Sequence, residues 1–129
     1  MNIERLTRVE FAAFGDVIGG GAAKVSLFEV KPRPAPIKID MMERHPLGSQ
    51  AFYPLQNEDW LVLVCDDPRD QSTYRCFRAQ GQQGINYARN TWHFPLLVFS
   101  PSRFIVVDRK GPGTNLDEVD LATPLYLAP

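Results

Sequence analysis

Pro36-Ile37-Lys38-Ile39-Asp40-Met41-Met42-Glu43-Arg44-His45 alternates in character from end to end. A period of two puts Ile37, Ile39, Met41, Glu43 and His45 on one face of an extended segment, and Lys38, Asp40, Met42 and Arg44 on the other. The stretch is a strand rather than a helix. Its apolar face ends in a carboxylate and an imidazole, and an inward Glu without a partner carries a large desolvation cost. That cost points to a site at Glu43 and His45. The alternative is that both lie at the mouth of the fold, solvated or bonded to each other, with His45 a satisfied polar residue.

The surrounding sequence repeats the strand pattern. Eleven prolines and nine glycines punctuate runs too short for helices and rich in Val, Ile, Leu and aromatics. The runs are Ala23 to Val30, Pro36 to His45, Ser49 to Leu55, Trp60 to Cys65, Thr73 to Ala79, Pro95 to Ser100, Phe104 to Asp108 and Pro124 to Ala128. Turn chemistry separates them at Pro32-Arg33-Pro34, Pro46-Leu47-Gly48, Asn57-Glu58-Asp59, Asp66-Asp67-Pro68, Gly81 to Gly84 and Gly111-Pro112-Gly113. Many short strands with close turns give an all-β sandwich or barrel. One short helix is expected near the N-terminus, where Thr7 and Glu10 form a capping box, Phe11 and Phe14 share a face and Gly15 supplies a stop. Gly19-Gly20-Gly21-Ala22-Ala23 reads as a flexible linker.

A chain of 129 residues makes one domain with an adequate core. Its 14 Lys and Arg balance 15 Asp and Glu, and no basic run could track a phosphate backbone, which argues against nucleic acid as a partner. The longest apolar runs fall far short of the ~20 residues a membrane helix needs, and Met1 to Arg8 lacks the apolar core of a signal peptide. A cytoplasmic protein is expected. Cys65 and Cys76, each inside a strand-like run, then read as buried reduced thiols.

Two further stretches carry chemistry. Asn86-Tyr87-Ala88-Arg89-Asn90-Thr91-Trp92-His93-Phe94-Pro95 holds the second of the two histidines with donors for a carboxylate and an apolar wall. It reads equally as a surface loop anchored by Trp92. Asp108-Arg109-Lys110-Gly111-Pro112-Gly113 lacks the spacing of a phosphate loop; it reads as a solvated strand end, with pairing or anion positioning as the alternative. No Gly-x-Ser-x-Gly motif occurs, and neither cysteine adjoins a histidine, so covalent catalysis has no support.

Taken together, Glu43-Arg44-His45-Pro46-Leu47-Gly48-Ser49-Gln50-Ala51-Phe52, Gly84-Ile85-Asn86-Tyr87-Ala88-Arg89-Asn90-Thr91-Trp92-His93, Val107-Asp108-Arg109 with Gly113-x-Asn115, and the opening Phe14-Gly15-Asp16-Val17-Ile18 resemble the ureidoglycolate lyase family. The resemblance spans nearly the whole chain. It implies a cupin-like barrel (a double-stranded β-helix or jelly roll), a homodimer, and cleavage of ureidoglycolate to glyoxylate and urea in allantoin and purine catabolism. The usual cupin metal motif is His-x-His, four residues, then Glu, with a later His. Glu43-x-His45, four residues, Gln50, and His93 fit it with two substitutions. The implied metal set is Glu43, His45, Gln50 and His93, with nickel favoured and manganese or zinc next; metal-dependent and metal-free chemistry both stay open.

By the same resemblance the catalytic residues are His45, His93 and Glu43. The substrate carboxylate falls to Arg89 first and Arg44 second, with Asn86, Tyr87 and Ser49 as lesser candidates for the ureido group and Gln50, also substrate-binding, beside the catalytic groups. The family carries a polar and aromatic segment, a few tens of residues long, before the strand that here begins near Ala23; a disordered stretch omitted near residues 19–23 is expected. Two other readings compete: a cupin isomerase or hydrolase of another small hydroxy acid, and a non-catalytic module that binds a small acid.

Overall fold

A computed structural model describes residues 1–6 and 19–129 of the chain. The helix expected around Thr7 to Gly15 lies outside the described residues. Among those described, the chain forms eleven strands and a single 3₁₀ turn, Gln71–Thr73. The strands are β1 (Ile3–Arg5), β2 (Ala22–Val30), β3 (Ile37–Arg44), β4 (Gln50–Pro54), β5 (Trp60–Cys65), β6 (Arg75–Ala79), β7 (Ile85–Tyr87), β8 (Trp92–His93), β9 (Leu97–Val98), β10 (Ser102–Lys110) and β11 (Asp117–Leu127).

They form two sheets. A seven-stranded sheet runs β1-β6-β5-β8-β3-β11, with β9 also on β5, and a four-stranded sheet runs β2-β10-β4-β7. Trp60, Val62, Ala79 and Val98 of the first pack against Phe52, Tyr87, Phe104 and Val106 of the second. The Trp60 and Phe104 rings meet edge to face at 5.0 Å, and the indole N–H donates to the Gln83 carbonyl at 3.1 Å. Each such buried side chain contributes roughly 1.5–3 kcal/mol of burial. This is the all-β, cupin-like architecture expected.

β5 shows why the sequence folds this way. Its continuous apolar run has both faces covered: Trp60 and Val62 join the core between the sheets, while Leu61, Leu63 and Cys65 join a second core with Ile37, Ile39, Met42 and Cys76. That second core corrects the alternation read for residues 36–45. Ile37 and Ile39 pack with Met42, three residues on, and Glu43 opens into the cavity between the sheets. The β3–β11 register slips between Asp120, opposite Met41, and Leu125, opposite Ile39. An irregularity there resets the parity, so Glu43 does not end the Ile37–Ile39 face.

Two further expectations are overturned. Arg109 is buried, and its guanidinium donates to the carbonyls of Gly20 at 2.9 Å and Pro112 at 2.6 Å. The strand end is therefore packed, not solvated. The glycine tract is correspondingly no free linker. Gly21, at φ 119°, has no room for a β-carbon, which would stand 2.8 Å from the Lys110 carbonyl, and one on Gly48 would stand 2.8 Å from Cβ of Arg109. Both cysteines are free and buried, as expected. No helix among the described residues is long and apolar enough to cross a membrane.

Candidate active site

Strand pairing brings the acid and the two histidines together. Glu43 on β3 stands opposite His93 on β8, whose other neighbour is Val64 on β5. His45 follows β3 directly, so the end of one strand supplies two of the three groups. Their ligand atoms lie within 4.8 Å of one another. The His45 and His93 ring centroids are 5.2 Å apart, and Tyr87 stacks on His93 at 4.1 Å with the planes inclined by 12°.

Both rings are fixed from behind. Nδ1 of His45 donates to the Asn115 carbonyl at 2.8 Å, and Nδ1 of His93 donates to the Thr91 carbonyl at 2.9 Å. A carbonyl can only accept, so the remaining proton of each neutral imidazole sits on Nδ1 and each Nε2 keeps a lone pair. Both Nε2 atoms are buried and, among the described residues, have no hydrogen-bond partner. Nε2 of His93 and a Glu43 carboxylate oxygen face each other at 3.6 Å, beyond hydrogen-bond range. Burial depresses the His93 pKa to about 4, against the raising effect of the Thr91 bond, and the neighbouring His45 lowers it further. Burial raises that of Glu43; His45 opposes the shift and Glu118 adds to it. The Tyr87 phenol is raised chiefly by burial, so it stays protonated.

The donor set suits a divalent cation. Ligand bonds of about 2.0–2.2 Å place two ligands of one ion at most about twice that distance apart, and small side-chain adjustments within this cluster meet the limit. Imidazoles fixed through Nδ1 to carbonyls are the usual support of a metal-binding histidine. Gln50 is buried in the wall of the same cavity; its amide N–H donates to Asp108 at 3.2 Å, and its oxygen is a buried acceptor with no partner among the described residues.

The cavity has a volume of about 170 Å³, with Glu43, Gln50, Tyr87, His93, Phe94 and Arg33 in its wall and Phe28 and Phe52 closing it with apolar surface. The other expected binding residues lie elsewhere. Arg44 stacks on Trp92 at 4.6 Å and pairs with Asp117 at 2.9 Å, outside the cavity. Arg89 is half-buried in the turn after β7, Asn86 is half-buried on β7 opposite Ala51, and neither is in the cavity wall. Ser49 is buried but not in the cavity wall, and among the described residues its hydroxyl has no hydrogen-bond partner. Sequence reasoning missed Arg33. The available signal was a cation fixed between two prolines, but it read only as a turn.

Two sheets enclosing a cavity with Glu43 and the fixed His93 imidazole in its wall, and the fixed His45 imidazole converging on that pair, define a cupin-like protein. The model of the ureidoglycolate lyase family matches residues 19–128. "Ureidoglycolate lyase 1" of Rhizobium meliloti (strain 1021) is 43% identical over 148 residues, covering 92% of this chain and 87% of the relative. "Ureidoglycolate lyase" of Burkholderia mallei (strain NCTC 10229) is 41% identical over 157 residues, covering 98% and 92%. "Ureidoglycolate lyase" of Agrobacterium fabrum is 40% identical over 158 residues, covering 99% and 95%. The chain belongs to the ureidoglycolate lyase family. A match over 158 positions exceeds the 129 residues of this chain, so that relative has residues within the matched region that have no counterpart here.

Proposed function

We propose that the chain is a ureidoglycolate lyase, cleaving ureidoglycolate into glyoxylate and urea. The observation that carries this reading is the convergence of the Glu43 carboxylate with the Nε2 atoms of His45 and His93, neither partnered among the described residues, at the cavity whose wall Glu43 and His93 form. The reaction reverses the addition of urea to an aldehyde. The carbinol hydroxyl loses its proton, the C–N bond breaks as the carbonyl forms, and the departing urea nitrogen gains a proton. Glu43 and His45 are the groups to handle those protons; a carboxylate raised by burial is a stronger base than a solvated one. His93, depressed to about 4, stays neutral and offers a lone pair. Tyr87 fixes its ring plane.

A divalent ion, nickel first and manganese or zinc next, would be held by Glu43, His45 and His93 with the Gln50 oxygen. It would supply Lewis-acid polarisation of the substrate's oxygens. The experiment is release of urea and glyoxylate from racemic ureidoglycolate by the purified protein, before and after chelation. Release that chelation abolishes and nickel restores supports the metal-dependent lyase; release untouched by chelation leaves the side chains as acid and base. No release above the spontaneous rate sinks the lyase reading in favour of a small-acid-binding module.

A cytoplasmic location and a homodimer belong to the same reading. The dimer is supported by an apolar stripe on the outer face of the four-stranded sheet, where Leu27, Ile105 and Tyr53 lie side by side in register and Leu27 and Tyr53 are exposed. Sedimentation velocity of the wild type and of Leu27→Glu tests it. The extra length of the relatives' matches supports the expectation of a segment omitted near residues 19–23.

A further inference from the structure

We infer that Arg33 anchors the carboxylate of the substrate and so determines what the cavity accepts: small 2-hydroxy and 2-oxo acids. The inference rests on the ureidoglycolate reading for the name of the substrate, but not for the chemistry of the anchor. Among the described residues, Arg33 is the one Lys or Arg in the cavity wall. Its guanidinium carbon stands 4.9 Å from the centroid of the Phe94 ring, and Phe94 is itself almost fully buried and adjacent to His93. The ring is therefore a firm platform. Stacking holds the guanidinium plane while leaving its edge, which carries the N–H donors, free to meet a carboxylate.

The backbone under Arg33 is also constrained. Residues 31–36 link β2 of one sheet to β3 of the other across the cavity, and Pro32, Pro34 and Pro36 fix φ at three of those six positions. Little conformational freedom is left to lose when a ligand binds. Among the described residues no carboxylate pairs with Arg33, Glu43 of the same cavity included.

The remaining arginines near the site are otherwise placed. Arg44 is joined to Asp117 and Trp92 outside the cavity, and Arg109 is buried with the glycine turns, donating to the Gly20 and Pro112 carbonyls. Arg89 is not in the cavity wall. A ligand whose carboxylate meets Arg33 has its neighbouring hydroxyl carbon inside the cavity, where Glu43 and His93 are. An amide or ester in place of the carboxylate loses the paired, charged contact.

The test compares glycolate with its uncharged counterpart glycolamide, by NMR shift titration of the full chain, for the wild type, Arg33→Met and Arg33→Lys. Methionine keeps apolar contact with Phe94 and removes the charge; lysine keeps the charge and loses the two-pronged geometry. The wild type is expected to prefer glycolate by roughly tenfold or more, because a charge-assisted pair at a partly exposed site has about that effect. Arg33→Met should abolish the preference and Arg33→Lys should fall between. In turnover of ureidoglycolate, Arg33→Met should raise KM by roughly tenfold with a smaller change in kcat, the pattern of a contact made equally in ground and transition states. Glycolate preference that survives in Arg33→Met, or its absence in the wild type, overturns the anchor. A wild type that prefers glycolate through Arg33 yet releases no urea leaves the anchor standing and sinks the lyase reading.

Discussion

Asn115 grips the turn after β3 from two sides. Its backbone carbonyl accepts from Nδ1 of His45 at 2.8 Å, and its side-chain oxygen accepts from the backbone N–H of Leu47 at 2.8 Å. The side-chain bond therefore holds the backbone that carries His45 in register with the carbonyl that orients its ring. Asn115→Ala should weaken nickel binding by roughly tenfold, since outer partners of this kind are worth about 10–100-fold in affinity, and should cost about 1 kcal/mol of stability. Asn115→Asp, which keeps the acceptor, should restore both. Competition against a chelating dye checks the affinity; an unchanged value in Asn115→Ala shows that the second bond does not position His45.

The legible and the hidden parts of this molecule divide on one physical ground. β5 is plain in sequence because a run of Val and Leu beside an aromatic needs a buried sheet around it, whereas β2, mostly exposed at a sheet edge, is legible only through its β-branched and aromatic content. β11 runs Asp117–Leu127, yet only Pro124 to Ala128 was expected, because its first half is a sheet edge where Glu118 and Asp120 alternate with Val119 and Leu121 without a continuous apolar face. β8 is two residues long and reads as part of a polar loop. Glu43, His45 and His93 stand out in the sequence because a carboxylate late in an apolar strand is costly and only two histidines exist to join it, although the parity that placed Glu43 on the Ile37–Ile39 face fails at the β3–β11 irregularity. Arg33 does not, since its place over Phe94 depends on how the two sheets face each other. The pairing of Gln50 with Asp108 depends on the β4–β10 register, which no local pattern encodes.

That pairing makes Gln50 more than a weakened form of the usual cupin glutamate. Gln50→Glu would set two carboxylates about as close as the present 3.2 Å bond, in a buried position. Like charges there cannot both ionise readily, so one would be held protonated. The expected outcome is nickel binding no tighter than wild type, despite the added carboxylate. In Gln50→Glu with Asp108→Asn the repulsion is gone and a donor replaces it, so affinity should rise above the single variant by roughly tenfold. Calorimetric titration of the two variants checks this; Gln50→Glu alone binding markedly tighter than wild type would refute the role given to Asp108.

His93 also sets a pH dependence for the metal-free protein. Its pKa is about 4 in the folded chain against an ordinary 6.5 when unfolded. The unfolded chain therefore binds the proton more readily, and stability must fall as pH drops from about 6.5 toward 4, by on the order of 3 kcal/mol if His93 acted alone. Glu43, raised by burial, acts in the opposite sense: the folded chain takes up its proton first, so its contribution to stability improves as pH falls through its raised pKa. The net loss should be smaller than that of His93 alone. Urea denaturation between pH 7 and 4 on the wild type and His93→Gln measures it. The variant should show the weaker decline toward acid, and equal declines would show that His93 is not buried neutral.

The two thiols should be inert for reasons of both burial and geometry. Burial pushes Cys65 and Cys76 each up to about 11, so at pH 8 the reactive thiolate is about a thousandth of either. Cys76 stands opposite Leu63 in the β5–β6 pairing, two residues from Cys65, so the cysteines are diagonal neighbours. Diagonal pairs on adjacent strands are about 7–8 Å apart, whereas a disulfide needs Cβ atoms about 3.5–4.5 Å apart. An aromatic disulfide reagent at pH 8 should therefore modify native protein at least roughly a hundredfold more slowly than an unfolded control, and mild oxidant should leave both thiols titratable after denaturation. Rapid labelling of either cysteine in the native state would mean that the second core opens far more often than its packing implies. A Cys65–Cys76 crosslink found by mass spectrometry would mean that the register itself can slip by two residues.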